Sequence, residues 1–297
     1  MSSIVGGSSK STLGRITPYL LIAPALAFVV GILAYSVIYG IGMSFWQIEL
    51  AVPDRPFVGL DNYIRIFQEP RFINSLQRSL IFVFASVVGG ILLAFAFAQS
   101  LYRVKKFVAG FRGFVLIPYL VSGIATAIMF RFLFAGNVGF VNQILVTMGF
   151  SRVSFLGNQN WALFVVILAN MWFVIPFATL ILLAGLQGLD PNLFEMARVE
   201  GARRRTVLFR ITIPLIKPMI GISLVWLSFA SFNMFDVILP LTGGGPGRAT
   251  EVLAVYMYRV GFEFLRYSDG AVVMAVILVL NIVVSVTLMR IFRGEEG

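Results

Sequence analysis

Residues 186–218 read LQGLDPNLFEMARVEGARRRTVLFRITIPLIKP, a polar and arginine-rich stretch between two long apolar runs. Asp190 followed by Pro191 predicts the start of a short helix, because aspartate is a good N-cap and proline fits the first turn. Gly201 is expected to break that helix, and Pro214 is expected to interrupt a second one. The stretch therefore predicts two short helices that meet at a glycine outside the apolar runs.

Most of the remaining sequence consists of apolar runs long enough to cross a bilayer. The chain has 297 residues, of which 59% are hydrophobic and 12% charged, and its mean hydropathy is +0.93. A spanning helix needs about 20 apolar residues. Six runs meet that length, at about 17–46, 80–101, 114–134, 161–185, 218–241 and 271–292. We therefore expect an all-α membrane protein with about six transmembrane helices.

The distribution of arginine and lysine predicts how these helices are oriented. If both termini are cytoplasmic, the cytoplasmic segments carry 14 of the 23 basic residues in less total length than the outer segments. This agrees with the positive-inside rule. We therefore predict a flexible cytoplasmic tail at 1–16, a single transmembrane domain at 17–297, and a cytoplasmic loop at 186–217. The net charge of +10 follows from this topology, so we expect no nucleic-acid partner.

The residue types that the sequence lacks restrict the reactions the protein can catalyse. The chain has no cysteine and no histidine, which excludes Cys/His zinc sites, thiol nucleophiles and Ser-His pairs. The run from Gly7 to Thr12 has Ser9 where a phosphate-binding loop needs glycine before Lys10. We therefore expect a pore or carrier that has no catalytic residues, no metal and no cofactor of its own.

The loop at 186–217 allows two interpretations from its residues alone. It is either an amphipathic elbow with Arg203, Arg204 and Arg205 near the lipid headgroups, or a docking site that offers Phe194 and Met196 to a partner's groove. The composition of the loop favours neither interpretation over the other.

The spacing within this loop resembles a known family signature. Glu195-Met196-Ala197, three residues and Gly201, then nine residues and Ile211-Thr212-Ile213-Pro214, is similar to the EAA loop of the membrane-spanning subunits of binding-protein-dependent ABC importers. The sequence departs from that pattern at Met196 and Ile213, which keep apolar size. It also has Glu200 where aspartate is usual, and the charge is kept.

Two further segments extend the resemblance over nearly the whole chain. Residues 57–63, FVGLDNY, resemble the FxGLxNY outer-loop signature of sugar permeases. Phe235-Asp236, the run LTGGGP at 241–246 and Ala249-Thr250 resemble the end of the fifth span in the same group. The Gly-Gly-Gly-Pro run is similar to that of the maltose-transporter F-type and glycerol-phosphate A-type permeases.

This resemblance implies a fold, a location and a set of partners. The implied fold is that of ABC type I importer permeases, and the implied location is the bacterial cytoplasmic (inner) membrane. The implied partners are a second homologous permease, two ATP-binding cassette subunits that bind the ATP, and an extracytoplasmic solute-binding protein. It also implies that the loop couples the permease to an ATPase subunit. The residues implied in that contact are Phe194, Glu195, Met196, Ala197, Glu200, Gly201, Ile211 and Pro214.

Polar and aromatic residues within the spans are candidates for the substrate path, because polar groups at membrane depth are costly. The candidates are Asn170, Trp172, Phe177, Ser231, Asn233 and Asp236. Asn170 and Phe177 fall at positions that resemble sugar-contacting positions of the maltose permease, and Ser231 and Asn233 lie in the matching stretch of the fifth span. For Asp236, a structural or gating role is slightly favoured over direct contact with sugar.

Three hydroxyl residues within the spans are expected to have structural roles, and other functions of the chain are also possible from its sequence. Ser122, Thr126 and Ser228 are expected to bond to their own backbone or to hold helices together. The predicted function is the membrane subunit of an ATP-driven importer for a sugar or sugar-like carbohydrate. The alternatives are an ABC permease for a solute such as a phosphorylated polyol and, with less support, a secondary transporter. A secondary transporter would need ion-coupling carboxylates in several spans, whereas only Asp236 stands at such depth.

Overall fold

The computed structural model describes residues 12–50, 54–104 and 108–293, and these ranges are almost entirely helical. The β-type pairings within them are isolated bridges, from Trp46 to Phe57 and from Glu49 to Arg266. The α-helices are α1 (Thr12–Met43), α2 (Asp61–Gln68), α3 (Pro70–Arg103), α4 (Val108–Leu120), α5 (Gly123–Leu133), α6 (Phe140–Thr147), α7 (Gln159–Gln187), α8 (Pro191–Val199), α9 (Arg204–Val207), α10 (Ile213–Leu215), α11 (Lys217–Phe232), α12 (Ile238–Thr242), α13 (Leu253–Tyr258) and α14 (Tyr267–Phe292). Short π-helices lie at Leu208–Thr212 and Arg259–Glu263.

The prediction of about six membrane crossings is confirmed, and two of the crossings are broken. The helices α1, α3, α7 and α14 are long and apolar enough to cross as single helices. The third crossing bends by 96° between α4 and α5, and the fifth is interrupted where α11 ends at Phe232. The segment Arg204–Leu215, which precedes α11, is bent from it by 71°. Helix α1 begins at Thr12, inside the predicted tail, and the rest of that tail lies outside the described residues.

The prediction of continuous third and fifth helices was wrong at specific residues. In the third crossing, Ser122 caps a new helix by accepting a hydrogen bond from the backbone nitrogen of Ala125 at 3.2 Å. In the fifth, α11 ends at Phe232, and the side-chain amide of Asn233 donates to the carbonyl of Phe229 at 2.8 Å. In each break a polar side chain bonds to the end of its own helix.

Helix α7 lies at the centre of the bundle and packs against α3, α4 and α11. More than half of its most apolar stretch is buried, whereas none of the corresponding stretch of α1 is. Helix α3 packs closely because its buried residues include small ones at intervals of four, namely Ser86, Gly90, Ala94 and Ala98. Small residues allow the backbones of membrane helices to approach each other.

Buried ion pairs fasten the end of the bundle at which α3 begins, which we call the clamped end. The fully buried carboxylate of Glu251 accepts hydrogen bonds from Arg71 at 2.5 and 3.0 Å and from Arg259 at 3.0 Å. The buried carboxylate of Asp269 pairs with Arg65 at 2.5 Å and also with Arg266. Each carboxylate therefore joins helices that are far apart in the sequence.

The FVGLDNY segment contributes to the same end. The side-chain amide of Asn62 donates to the carbonyl oxygens of Ser44 at 2.8 Å and Trp46 at 3.0 Å, and the hydroxyl groups of Tyr63 and Ser44 are 2.7 Å apart. Gly59 has a φ of +57°, a backbone conformation that favours glycine. The segment therefore fixes α2 to the end of α1.

Candidate coupling and translocation sites

The short helix of the predicted coupling loop begins and ends as the sequence predicts. The carboxylate of Asp190 accepts a hydrogen bond from the backbone nitrogen of Asn192 at 2.9 Å, and Pro191 occupies the first turn of α8. Gly201 follows the helix with a φ of +74°. A side chain in this left-handed conformation costs energy, so glycine allows the sharp turn between α8 and α9.

The prediction that Pro214 interrupts the second helix was wrong. The helical segment continues from Arg204 to Leu215, and the bend comes after it, at Ile216. A π-helical turn precedes the proline, and Pro214 then stands in the first turn of α10, where its missing N–H needs no helical partner. The hydroxyl of Thr212 donates to the carbonyl of Val207 at 3.2 Å across this wider turn.

The residues implied in ATPase coupling differ in what they offer to a partner. Among them, Glu195, Met196, Glu200, Gly201 and Pro214 are exposed, and Ile211 is half-buried.

Ala197 and Phe194 face the chain itself. Ala197 is only 6% exposed, and its small side chain lies within the chain's own packing. The ring of Phe194 lies 6.4 Å, centroid to centroid, from the ring of Tyr102 near the end of α3. Phe194 therefore joins α8 to a spanning helix. Direct contact of either residue with an ATPase stays a prediction.

Two exposed apolar residues beside Met196 were not among the residues implied in ATPase coupling. Val199 is 90% exposed, and Leu193 is also exposed, so the three side chains recur at every third position of α8. That spacing places them along one side of the helix and could have been read from the sequence. They form an exposed apolar strip on α8.

Among the predicted substrate-path residues, Asn170 and Ser231 are brought together inside the chain. Both are buried, and the amide nitrogen of Asn170 donates to the hydroxyl of Ser231 at 2.9 Å. In this conformation the pair joins α7 to α11 and is covered by the chain's own helices. A role for either residue in contacting substrate stays a prediction.

Phe177 belongs to a cluster of aromatic side chains contributed by three helices. Its ring centroid lies 4.4 Å from that of Trp226 on α11 and 5.6 Å from that of Tyr119 on α4. Phe173 lies 6.0 Å from Tyr119. We call these four residues the aromatic cluster, and all four are half-buried. Trp226 was not among the predicted path residues, and Trp172 packs separately against Phe130 at 6.0 Å.

Asn233 and Asp236 lie where the broken crossings meet. Asn233 is exposed, and Asp236 is half-buried. The carboxylate of Asp236 lies against Gly123 at the start of α5, where an added Cβ would fall 2.5 Å from the carboxyl carbon. The free N–H groups and dipole at a helix N-terminus favour a negative charge. This placement agrees with the favoured structural or gating role, and direct contact of Asp236 with sugar stays a prediction.

The three residues expected to bond locally do so. The hydroxyl of Ser122 caps α5, and that of Thr126 donates to the carbonyl of Ser122 at 3.1 Å. The hydroxyl of Ser228 donates to the carbonyl of Val225 at 3.0 Å. These contacts confirm that the hydroxyl groups are satisfied by the backbone of their own chain.

A bundle of membrane-length helices with broken crossings and an exposed short helix pair at one end agrees with the membrane-spanning subunit of a transporter. The chain belongs to the family described as "Binding-protein-dependent transport system inner membrane component", whose model matches residues 86–293. The resemblance drawn from the EAA-like spacing is thereby confirmed, as is the location in the inner membrane. The chain is a transport component and not an enzyme.

Relatives over the full length carry the names of solute permeases. The chain is 33% identical over 278 residues to the trehalose/maltose transport system permease protein MalF of Thermococcus litoralis, with 93% of each chain covered. It is 33% identical over 279 residues to the sn-glycerol-3-phosphate transport system permease protein UgpA of Yersinia pestis, with 92% of each covered.

A solved structure supports the predicted fold. A chain of a bacterial alginate ABC transporter in complex with an alginate pentasaccharide-bound periplasmic protein aligns with a TM-score of 0.79 at 25% identity. The alignment covers 95% of this chain and 97% of that one. The ABC importer permease fold is therefore confirmed. Which terminus faces which side stays a prediction from the arginine distribution.

Proposed function

We propose that the chain forms half of the translocation path of an ATP-driven importer for a sugar or sugar-like solute. A second, similar permease supplies the other half, two ATPase subunits bind ATP on the cytoplasmic side, and an extracytoplasmic binding protein delivers the solute. The observation that carries the proposal is full-length similarity to permeases named for trehalose/maltose transport, together with an exposed EAA-like helix pair.

The structure of α8 supports its role as the coupling helix. Its apolar strip of Leu193, Met196 and Val199 is exposed and suits a hydrophobic groove on an ATPase subunit. Phe194 packs on Tyr102, so displacement of α8 would be transmitted to α3. Closure of the ATPase dimer would then tilt the spanning helices as connected rigid elements.

The chemistry of the candidate path supports a neutral, hydroxyl-rich solute. Sugars stack on aromatic faces and exchange hydrogen bonds with amides and carboxylates, since each hydroxyl both donates and accepts. The aromatic cluster offers half-buried rings. Asn233 and Asp236 offer an amide and a carboxylate at the break after α11.

A phosphorylated polyol is the second candidate solute, favoured by the similarity to the sn-glycerol-3-phosphate permease. Asp236 is the one acidic residue among the six candidate path residues. A carboxylate on the path repels a phosphate group, and like charges that are brought together disfavour the wrong ligand. A neutral sugar is therefore favoured over a phosphorylated polyol as the transported solute.

The proposal is tested by purifying the tagged chain from its native membrane and reconstituting the assembly that accompanies it. We expect a second permease, an ATPase and ATP hydrolysis that rises when the cognate binding protein is added with maltose, trehalose or a larger oligosaccharide. Stimulation by glycerol 3-phosphate alone would select the second candidate. A chain that purifies without an ATPase, under conditions that keep a known importer intact, would contradict the proposal.

A further inference from the structure

A charged cleft of about 830 Å³ lies between the end of α3 and the helices α8 and α9. Helix α3 contributes Arg103, α8 contributes Arg198 and Glu195, and α9 contributes Arg204. Three guanidinium groups and one carboxylate therefore line one cavity, and the side chains that carry these charges are exposed. Tyr102 contributes an aromatic wall.

The arginines of this cleft differ from those of the clamped end. Within residues 12–50, 54–104 and 108–293, the ion pairs within 4.0 Å use Arg65, Arg71, Arg259 and Arg266. Arg103, Arg198 and Arg204 take part in none of those pairs. A cavity with an excess of positive charge concentrates field and attracts anions.

The residues and helices around the cleft favour a lipid as the source of the anion. The segment Arg204–Leu215, which contributes to the cleft, is bent by 71° from the apolar helix α11. Phe209 and Leu215 on this segment are exposed and apolar, which suits contact with lipid. Spanning helix α3 ends at Arg103. The cleft therefore lies beside the end of a helix of membrane-spanning length and on the same segment as exposed apolar side chains.

We propose that this cleft binds the phosphate group of an anionic phospholipid headgroup. Guanidinium groups bind phosphate oxygens through paired hydrogen bonds, and the three arginines come from three different helices. A bound headgroup would bridge α3 to α8 and α9 and would tie the coupling segment to a spanning helix. The assignment of this end to the cytoplasmic leaflet rests on the proposed function, whereas the phosphate site rests on the cleft itself.

Native mass spectrometry of the purified full-length chain, with its accompanying subunits, tests this site. The probes are dioleoylphosphatidylglycerol, dioleoylphosphatidylcholine and inorganic phosphate. We expect one tightly held phosphatidylglycerol per chain and no comparable retention of phosphatidylcholine. Each arginine near the surface strengthens anionic lipid binding roughly fivefold, so the double variant Arg103→Gln/Arg204→Gln should bind phosphatidylglycerol roughly 25-fold more weakly.

The matched control is Arg205→Gln/Arg290→Gln, which removes the same charge from exposed residues that do not line the cleft. Equal phosphatidylglycerol affinity in the two double variants would overturn the site. Displacement of the lipid by millimolar inorganic phosphate would overturn the lipid as the source of the phosphate group. Lipid binding only after the ATPase is stripped away would make the cleft an ATPase contact and overturn the proposal. Because lipid retention is measured without transport, a failure of uptake would contradict the proposed function alone.

Discussion

The two ends of helix α3 belong to differently built regions. At its first residues, Arg71 pairs with the buried carboxylate of Glu251, which also binds Arg259. About 50 Å away by the helical rise, Tyr102 packs on Phe194 of an exposed helix, beside Arg103 in the charged cleft. The clamped end has arginines paired with two buried carboxylates, whereas the coupling end leaves charges and apolar side chains accessible. One end is built for rigidity and the other for contact with partners.

The largest effect is expected from breaking the clamped end. Glu251→Gln removes the charge that two arginines share, and removing one partner of a buried ion pair costs about 3–5 kcal/mol. We expect poor membrane expression and a large fall in the thermal unfolding temperature in detergent. The control is Glu263→Gln, because Glu263 also pairs with Arg259, at 3.6 Å, but is 45% exposed. Equal stability of the two variants would show that the clamp is not a source of rigidity.

The next effect is a loss of transport without a loss of folding. Gly201→Asp places a side chain where φ is +74°, a conformation that costs non-glycine residues about 1–2 kcal/mol. We expect uptake to be abolished while the protein remains in the membrane. Gly149→Asp is the control, because Gly149 has a φ of +87° with open space around it and lies outside the coupling segment. Equal loss of uptake in both variants would show that the turn at Gly201 has no special role in transport.

A smaller effect is expected where the two broken crossings meet. In Gly123→Ala the added Cβ would overlap the carboxylate of Asp236, so we expect reduced uptake with normal expression. Gly136→Ala, which has open space, should behave as wild type. The double variant Gly123→Ala/Asp236→Ala relieves the overlap and should keep the normal expression of Gly123→Ala. Unchanged uptake in Gly123→Ala would show that this contact does not control the path.

The smallest effect concerns the buried pair between α7 and α11. A double-mutant cycle on Asn170→Ala and Ser231→Ala should give a coupling energy of about 0.6 kcal/mol, the average for hydrogen bonds between membrane helices. We expect this coupling in thermal stability and no coupling in the KM for solute. Coupling in KM with none in stability would place both side chains on the substrate path.

The sequence predicted the features of both ends that depend on neighbouring residues. Asp190 and Gly201 carry their own signals for beginning and ending a helix, and the apolar runs give the crossings by length alone. The breaks at Ser122 and Asn233 were missed because apolar residues continue through them. Pro214 was misread because a π-helical turn precedes it, so the helical segment continues to Leu215.

Contacts between distant residues could not be predicted from local pattern. Arg71 and Glu251 are separated by 180 positions, and Asn170 and Ser231 by 61. Which polar residues become buried partners depends on how the helices pack. For that reason the candidate path residues could be chosen by type and depth, whereas their orientation required the structure.

Single cysteines offer the most direct test of the proposed contrast, because the chain has no cysteine of its own. Val199→Cys on the apolar strip of α8 and Val138→Cys, another strongly exposed position outside the coupling segment, are labelled with a water-soluble maleimide in the isolated chain and in the assembled transporter. We expect that assembly with the ATPase strongly protects Val199→Cys and leaves Val138→Cys reactive. Unchanged labelling of Val199→Cys in an assembled, ATP-hydrolysing complex would contradict the assignment of α8 as the coupling helix.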